Sequence, residues 1–126
     1  MSTRRPRVNP GAVGALGERW AAGFFEEAGY VVLGRNVRVG RLEIDLVVRE
    51  GPVIAVVEVR VRGATAWVGP LSSVDRKKQL RVRRAGELLW QRDFKKDGTV
   101  ERMRFDILGI TIVDDRPTFE HVRAAF

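Results

Sequence analysis

The chain has 126 residues, 44% of them hydrophobic, with no cysteine and a net charge of +7. This length and apolar content fit one globular domain, and the lack of cysteine excludes a disulfide framework, thiolate chemistry and a cysteine-based zinc site. No apolar run reaches membrane-spanning length and no signal-peptide core is present, so we expect a cytoplasmic protein with no membrane partner. The positive net charge favours a polyanionic binding partner, and the partner we expect is a nucleic acid.

The predicted domain covers residues 10–126, after a flexible basic tail of residues 1–9 that holds three arginines and little to bury. Its first helix starts at Pro10, after the capping residue Asn9, and ends at Gly29. Glu18 lies off the main apolar stripe of this helix, among small and apolar neighbours. Its position alone favours a flanking surface charge.

A first strand is predicted over residues 30–38, and a β-hairpin follows over residues 41–62. In the first arm of the hairpin, apolar residues alternate with Glu43 and Asp45, the period of two that separates the faces of a strand. The second arm is apolar and β-branched except at Glu58 and Arg60. Charges inside a run of this kind indicate a candidate functional site.

A tight turn at Gly51 and Pro52 determines how the two arms pair, because glycine can supply the positive φ of a type II′ turn. The pairing places Asp45 opposite Glu58, and it places Glu43 opposite Arg60. Directly opposed side chains lie about 5 Å apart. Two like charges at that separation destabilise the fold unless a cation lies between them or one takes up a proton.

Two interpretations fit these charges. A hard divalent ion, Mg²⁺ or Mn²⁺, binds carboxylate oxygens and keeps several waters for a phosphate substrate. Alternatively, Glu43 pairs with Arg60 while Asp45 or Glu58 finds another arginine, giving a cross-strand ion-pair network. The spacing alone favours neither interpretation, because structural ion pairs also gather charged groups.

The segment after the hairpin is predicted to be a loop that carries Trp67. This side chain either stacks on a nucleic-acid base or has the commoner role of covering a hydrophobic edge. A second helix is predicted to start at Ser72 or Ser73, where Ser72 and Asp75 resemble a capping box, and to run to about Arg92.

The second helix holds six cations between residues 76 and 84. Most such runs are solvated faces, but a helical wheel places Lys78 and Arg81 on the side that must face the sheet. We expect these two to hold phosphate or orient a carboxylate, although their long stems could also extend to solvent from a packed face. The candidate nucleic-acid-binding residues of this helix are Lys77, Lys78, Arg81 and Arg84.

Two further strands complete the chain. Residues 104–113 are apolar on both faces and predict a central strand, and residues 118–122 predict an edge strand. His121, the one histidine, has no second ligand at metal spacing and is predicted to be a surface or edge residue. The element order is α-β-β-β-α-β-β, which predicts an α/β fold with a mixed sheet flanked by helices.

Seven segments in this order resemble the YraN-like family, small bacterial proteins of the restriction-endonuclease-like nuclease superfamily. They are GALGERWA, GYVVLGRN, EIDLVV, VVEVRVR, SVDRKKQLR, RFDI and the terminal AAF, within residues 11–126. EID followed by EVR is similar to the Asp…Glu-x-Lys signature of those nucleases. The resemblance implies a restriction-endonuclease-like core and metal-dependent endonuclease activity on DNA, with branched or damaged DNA as the substrate in repair or recombination.

By the same resemblance, Asp45 and Glu58 would hold one or two Mg²⁺ or Mn²⁺ ions, joined by Glu18 and the Val59 carbonyl, with Glu43 as support. Holliday-junction resolvases of the superfamily place a first-helix glutamate at the metal site, and Glu18 matches the family's GE pair. Those resolvases act as dimers, which implies a homodimer here.

Position 60 departs from the superfamily signature. A lysine there helps to place or deprotonate the attacking water, whereas Arg60 stays charged and is a poor general base. One alternative is therefore a catalytically weak or inactive nucleic-acid-binding protein with a nuclease-like fold. Another is a structural or partner-binding protein whose carboxylates form an ion-pair network.

Overall fold

The computed structural model describes residues 10–63 and 74–126. The predicted tail, Trp67 and Ser72 lie outside the described residues. The elements are α1 (Pro10–Glu27), β1 (Val31–Val39), β2 (Leu42–Glu50), β3 (Val53–Gly63), α2 (Arg76–Leu89), β4 (Arg102–Val113) and β5 (Arg116–Val122). A π-helical turn, Trp90–Phe94, extends α2. None of the helices in the described ranges is both long and apolar enough to cross a bilayer.

Five strands form one mixed sheet in the order β1-β2-β3-β4-β5. Neighbouring strands are antiparallel except β3 and β4, which are parallel. The connection between those two contains α2, as a parallel pair requires a crossover. The predicted α/β class, element order and mixed sheet flanked by helices are confirmed, with β4 inside the sheet and β5 at its edge.

The start of α2 differs from the prediction. Asp75 is the N-cap, and its carboxylate accepts a hydrogen bond from the Lys78 amide at 2.8 Å. The helix therefore begins at Arg76 rather than at Ser72 or Ser73. An aspartate caps the free amides of a first turn as well as a serine does, so the sequence pattern was ambiguous about which residue ended the loop.

The two helices cover opposite faces of the sheet. Helix α1 packs Ala21, Ala22 and Phe25 against Leu46 and Val57, and helix α2 packs its own apolar side against the other face, through Val82, Ala85 and Leu89. Burying both faces explains why β3 reads as a nearly continuous apolar run.

Asp106 of β4 is fully buried on the α1 side and anchors the end of the chain. Its carboxylate accepts hydrogen bonds from Arg104 Nε at 3.0 Å and from the Ala124 amide at 3.0 Å, and it contacts His121 Nε2 at 2.8 Å. Burial alone would raise the pKa of Asp106, but these donors outweigh burial and lower it. The RFD segment therefore has a structural role that the sequence pattern left unassigned.

His121 was predicted to be a surface or edge residue, and it lies on the edge strand β5. Its side chain is nevertheless only 11% exposed, because it turns inward to Asp106. The rings of Phe24 and Phe25 pack edge-on against the imidazole. A single histidine gives no sequence signal for such a partner 15 residues away.

We predict that Asp106→Asn destabilises the protein by about 3 to 5 kcal/mol, because it leaves the largely buried Arg104 guanidinium without its closest counter-charge. Urea unfolding at pH 7 measures this, with the exposed Asp114→Asn as control. Folding lowers the pKa of Asp106 below its value of 3.8 in the unfolded chain. The ionised Asp106 therefore adds to the free energy of unfolding above pH 3.8, and this stabilisation is lost as the pH falls below 3.8. Equal stability of Asp106→Asn and wild type at pH 7 would contradict the structural role.

Candidate active site

The site lies where β2 and β3 stop pairing. Gly51 has the positive φ (57°) predicted for the turn, and the two strands pair in the predicted register from Glu50 with Val53 to Leu46 with Val57. Beyond that point β3 continues to pair with β4 alone. The Val59 amide donates to the Asp45 carboxylate at 2.9 Å. At this point the Asp45 side chain, rather than the backbone of β2, accepts the hydrogen bond from β3.

Glu58 is the acid next to Asp45, and it is only 4% exposed. Burial raises its pKa most, the charge of Asp45 and a side-chain hydrogen bond with Asp45 raise it further, and the value reaches about 7. The structure therefore brings Asp45 and Glu58 together as a close pair of acids.

Two cations approach the same oxygen of Glu58. Lys78 Nζ lies 3.6 Å and Arg60 Nη1 lies 3.8 Å from Oε1, both longer than a charge-assisted hydrogen bond. Both lower the pKa of Glu58, yet the pKa stays near 7, so they offset only part of the cost of ionising it. Arg60 Nε is also buried without a hydrogen-bond partner among the described residues.

Glu43 does not pair with Arg60, contrary to the prediction. The paired segment of β2 and β3 ends at Leu46, before Glu43 is reached. Glu43 lies instead opposite Arg38 of β1 and forms an ion pair with it at 3.8 Å. The extrapolation from the turn failed because it assumed that the two strands stay paired along their full length.

Glu18 lies on the α1 side of this region. Its Oε2 accepts a hydrogen bond of 2.6 Å from Asn36 Nδ2 of β1. Helix α1 approaches β3 closely beside it, because a Cβ on Gly17 would lie 2.8 Å from a methyl of Val61. No group of three or more His, Cys, Asp or Glu residues that could hold a metal ion occurs within residues 10–63 and 74–126. Glu18 is therefore held near the sheet but does not form such a group with Asp45 and Glu58.

A basic cleft of about 170 Å³ opens between the β1–β2 turn and α2. Its cationic lining consists of Arg41, Lys78 and Arg81, and Glu43 is the one acid that lines it. Lys78 contacts both this cleft and Glu58, so the cleft adjoins the acid pair. Of the four basic residues predicted to bind nucleic acid, Lys78 and Arg81 line the cleft. The other two, Lys77 and Arg84, are exposed elsewhere on α2.

Arg41 is a cleft residue that sequence reasoning missed. It follows Gly40 in the β1–β2 turn and belongs to no charge run or motif. Its relation to Lys78 depends on how α2 packs across the sheet, since 37 residues separate the two. The only local signal was a basic residue in a turn beside the hairpin, which by itself indicates no binding role.

Comparison with known proteins assigns the family. The sequence profile of the uncharacterised protein family UPF0102 matches residues 17–110, a range that contains Glu18, both paired acids and α2. The chain belongs to this family. The predicted YraN-like membership is thereby confirmed.

Relatives from several bacteria match nearly the whole chain. A UPF0102 protein of Sorangium cellulosum is 48% identical over 116 residues, which cover 91% of this chain and 81% of that protein. One from Nocardia farcinica is 35% identical over 116 residues, covering 91% and 89%. One from an Anaeromyxobacter species is 40% identical over 115 residues, covering 91% and 84%. These UPF0102 names state no activity.

We predict that Glu58→Gln, measured in EDTA, gains stability relative to wild type as the pH rises. Folding raises the pKa of Glu58 from 4.5 to about 7, so wild type loses stability across that interval as the unfolded chain ionises and the folded one does not. The difference should grow by about 3 kcal/mol between pH 4.5 and pH 8. Urea unfolding at several pH values measures it.

Glu26 is exposed, and Glu26→Gln is the matched control. Its free energy of unfolding relative to wild type should stay the same between pH 4.5 and pH 8. A Glu58→Gln difference that stays constant from pH 4.5 to pH 8 would contradict the raised pKa.

Proposed function

We propose that this UPF0102 protein is a Mg²⁺- or Mn²⁺-dependent endonuclease that hydrolyses phosphodiester bonds of DNA, with branched or damaged DNA in repair or recombination as its substrate. The observation that carries the proposal is the Asp45–Glu58 pair, in which the pKa of a buried acid stays near 7 despite two neighbouring cations. A pair of this kind is short of positive charge at neutral pH. The resemblance to restriction-endonuclease-like nucleases supplies the reaction class.

The donor set suits a hard divalent ion. Asp45 and Glu58 offer carboxylate oxygens, and the Val59 carbonyl is a further ligand that the resemblance implies. The resemblance also implies Glu18, but within the described residues Glu18 is not grouped with these two acids. The hydrogen bond from the Val59 amide holds Asp45 in one orientation. When bound, the ion would make hydroxide available at neutral pH and stabilise the charge that develops on the phosphate.

The neighbouring cations would act on the substrate. Lys78, Arg81 and Arg41 line the cleft beside the acid pair and are suited to hold phosphates of a nucleic-acid strand. Arg60 lies at the acid pair itself and can orient water or neutralise charge, but it cannot accept a proton at working pH. Charge in this cleft therefore supports substrate binding more strongly than it supports proton transfer.

The second candidate function is nucleic-acid binding with little or no catalysis. The observation that favours it is Arg60, which stands where the superfamily signature has lysine. The same cleft would bind DNA in both cases, and only the cutting step would differ. The homodimer and the cytoplasmic location stay predictions from the sequence.

We predict cleavage of labelled DNA in Mg²⁺ or Mn²⁺ and none in EDTA, tested on linear, single-stranded, flap and four-way-junction substrates. Asp45→Asn and Glu58→Gln should each lower the rate by about 100-fold or more, because each removes charge that acts in the transition state. Asp45→Asn keeps an oxygen acceptor for the Val59 amide, which makes it a milder change than alanine. Glu26→Gln is the exposed control.

Arg60→Lys is measured alongside wild type and should raise the cleavage rate, because lysine restores an amine that can place and deprotonate water. If wild type and Arg60→Lys both bind DNA and neither cuts any substrate, the nuclease proposal is wrong and the binding function stands. Equal cutting by wild type and by Asp45→Asn would also contradict the proposed site.

We predict that Arg81→Ala and Arg41→Ala each weaken DNA binding and lower the slope of log affinity against log salt by about one, because each removes one phosphate contact. Fluorescence anisotropy in EDTA measures binding without cleavage. Arg83→Ala is the matched control, since Arg83 lies on the other flank of α2 over the Phe105 ring. An equal loss in Arg83→Ala would show that net charge, not the cleft, determines binding.

A further inference from the structure

A second pocket, of about 180 Å³, lies between β1 and the end of α2. Most of its wall is apolar and consists of Leu33, Val37 and Val47 from the sheet and Leu89 and Phe94 from the helix end. An apolar cavity of about 150 Å³ holds one benzene molecule. The pocket therefore has room for a single planar ring, and we call it the ring pocket.

Two irregularities of the backbone meet at the ring pocket. The register of β1 against β2 shifts between Val32 and Gly34, so that Leu33 is an extra residue on β1. On the other side, α2 ends in the π-helical turn Trp90–Phe94. A Cβ on Gly34 would lie 2.7 Å from a methyl of Val37, so this backbone lies directly against the wall. Bulges and π-helical turns are both frequent at functional sites, which indicates a binding role for the pocket.

The ring pocket lies on the same flank of α2 as the basic cleft. Arg81 lines the cleft and Arg92 lines the ring pocket, and a separation of about three helical turns brings them to the same side. They are about 16 Å apart along the helix, a length that about five stacked nucleotides span. Between them, Arg92 donates to the Arg38 carbonyl at 3.1 Å, and Arg38 pairs with Glu43 of the cleft. A strand held in the cleft can therefore reach the ring pocket.

The polar groups at the rim distinguish between possible occupants. Arg35, which follows Gly34, and Arg38 are both exposed on β1. Asp93 accepts two hydrogen bonds from Arg92, at 2.9 and 3.0 Å, and its oxygens keep lone pairs for another donor. An apolar side chain of a protein would use only the wall. A nucleotide would use the wall for its base, Asp93 for a donor on the base, and the arginines for its phosphates.

We propose that the ring pocket binds an unpaired pyrimidine of the DNA strand whose phosphates lie in the basic cleft. The inference rests on the proposed function, and it narrows the substrate to DNA with an unpaired base near the cut. Phe94 supplies an aromatic ring on which a base can stack. A pyrimidine has one ring, as the volume of the pocket requires, whereas a purine has two.

The experiment measures binding in EDTA by fluorescence anisotropy, with four DNA duplexes that differ at one position. One is fully paired, and the others carry one extra nucleotide that is thymine, adenine or abasic. These three have the same number of phosphates, so differences among them report the base. Wild type is expected to bind the thymine duplex about 10-fold more tightly than the abasic duplex, a usual effect of stacking one base on an aromatic ring. The adenine duplex should bind less tightly than the thymine duplex.

Variants test whether the ring pocket causes this preference. Phe94→Leu keeps the wall apolar and removes the ring, so most of the preference for thymine should be lost. Arg81→Ala should weaken binding of all the duplexes equally. Leu33→Ser, at the half-exposed rim, is a second test should Phe94→Leu fail to fold. Its matched control is Leu80→Ser, since Leu80 is an exposed leucine outside the ring pocket.

The inference is overturned if wild type binds the thymine and abasic duplexes equally, or if Phe94→Leu and Leu33→Ser keep the preference. If wild type then still cuts DNA in Mg²⁺, the proposed function stands and the ring pocket has another occupant, such as a side chain of a protein partner. If the preference is present and depends on the pocket but no DNA is cut, the ring pocket stands and the nuclease activity is wrong. Absence of binding to every duplex would contradict both.

Discussion

The hydrogen bond from the Val59 amide to the Asp45 carboxylate determines the candidate site. Strands β2 and β3 pair as far as Leu46 and Val57, and β3 then continues beside β4 only. A strand that loses one neighbour needs another acceptor for its amides. Because a carboxylate fills that need, an acid is held at the opening between the strands, and Glu58 lies next to it.

Among the described residues two acids are buried, Asp106 and Glu58, and they differ in how well hydrogen-bond donors compensate their charge. Asp106 has donors from a side-chain cation and a backbone amide, and its pKa is lowered. Glu58 has two cations beyond hydrogen-bond distance and a second acid beside it, and its pKa is raised. The first pattern stabilises a fold, whereas the second leaves a site short of positive charge, which is typical of functional groups.

Helix α2 joins the acid pair to the basic cleft. Its apolar side packs on the sheet, and this packing brings Lys78, in the first turn, between Glu58 and the cleft. One side chain therefore offsets part of the charge of the acids and also faces the surface where a phosphate would bind. Under the proposed function, a cation placed in this way would favour an anionic ligand close to the acids.

The sequence by itself determined the order of the elements, the hairpin turn at Gly51 and the closeness of Asp45 to Glu58, because hydrophobic period and turn geometry are local properties. Tertiary structure decided the partners of the remaining groups. Glu43 pairs with Arg38 because β2 separates from β3, and His121 is enclosed because Asp106 lies on the neighbouring strand. Arg41 joins the cleft only through the packing of α2. Each of these depends on contacts between residues distant in sequence, for which composition and spacing carry no signal.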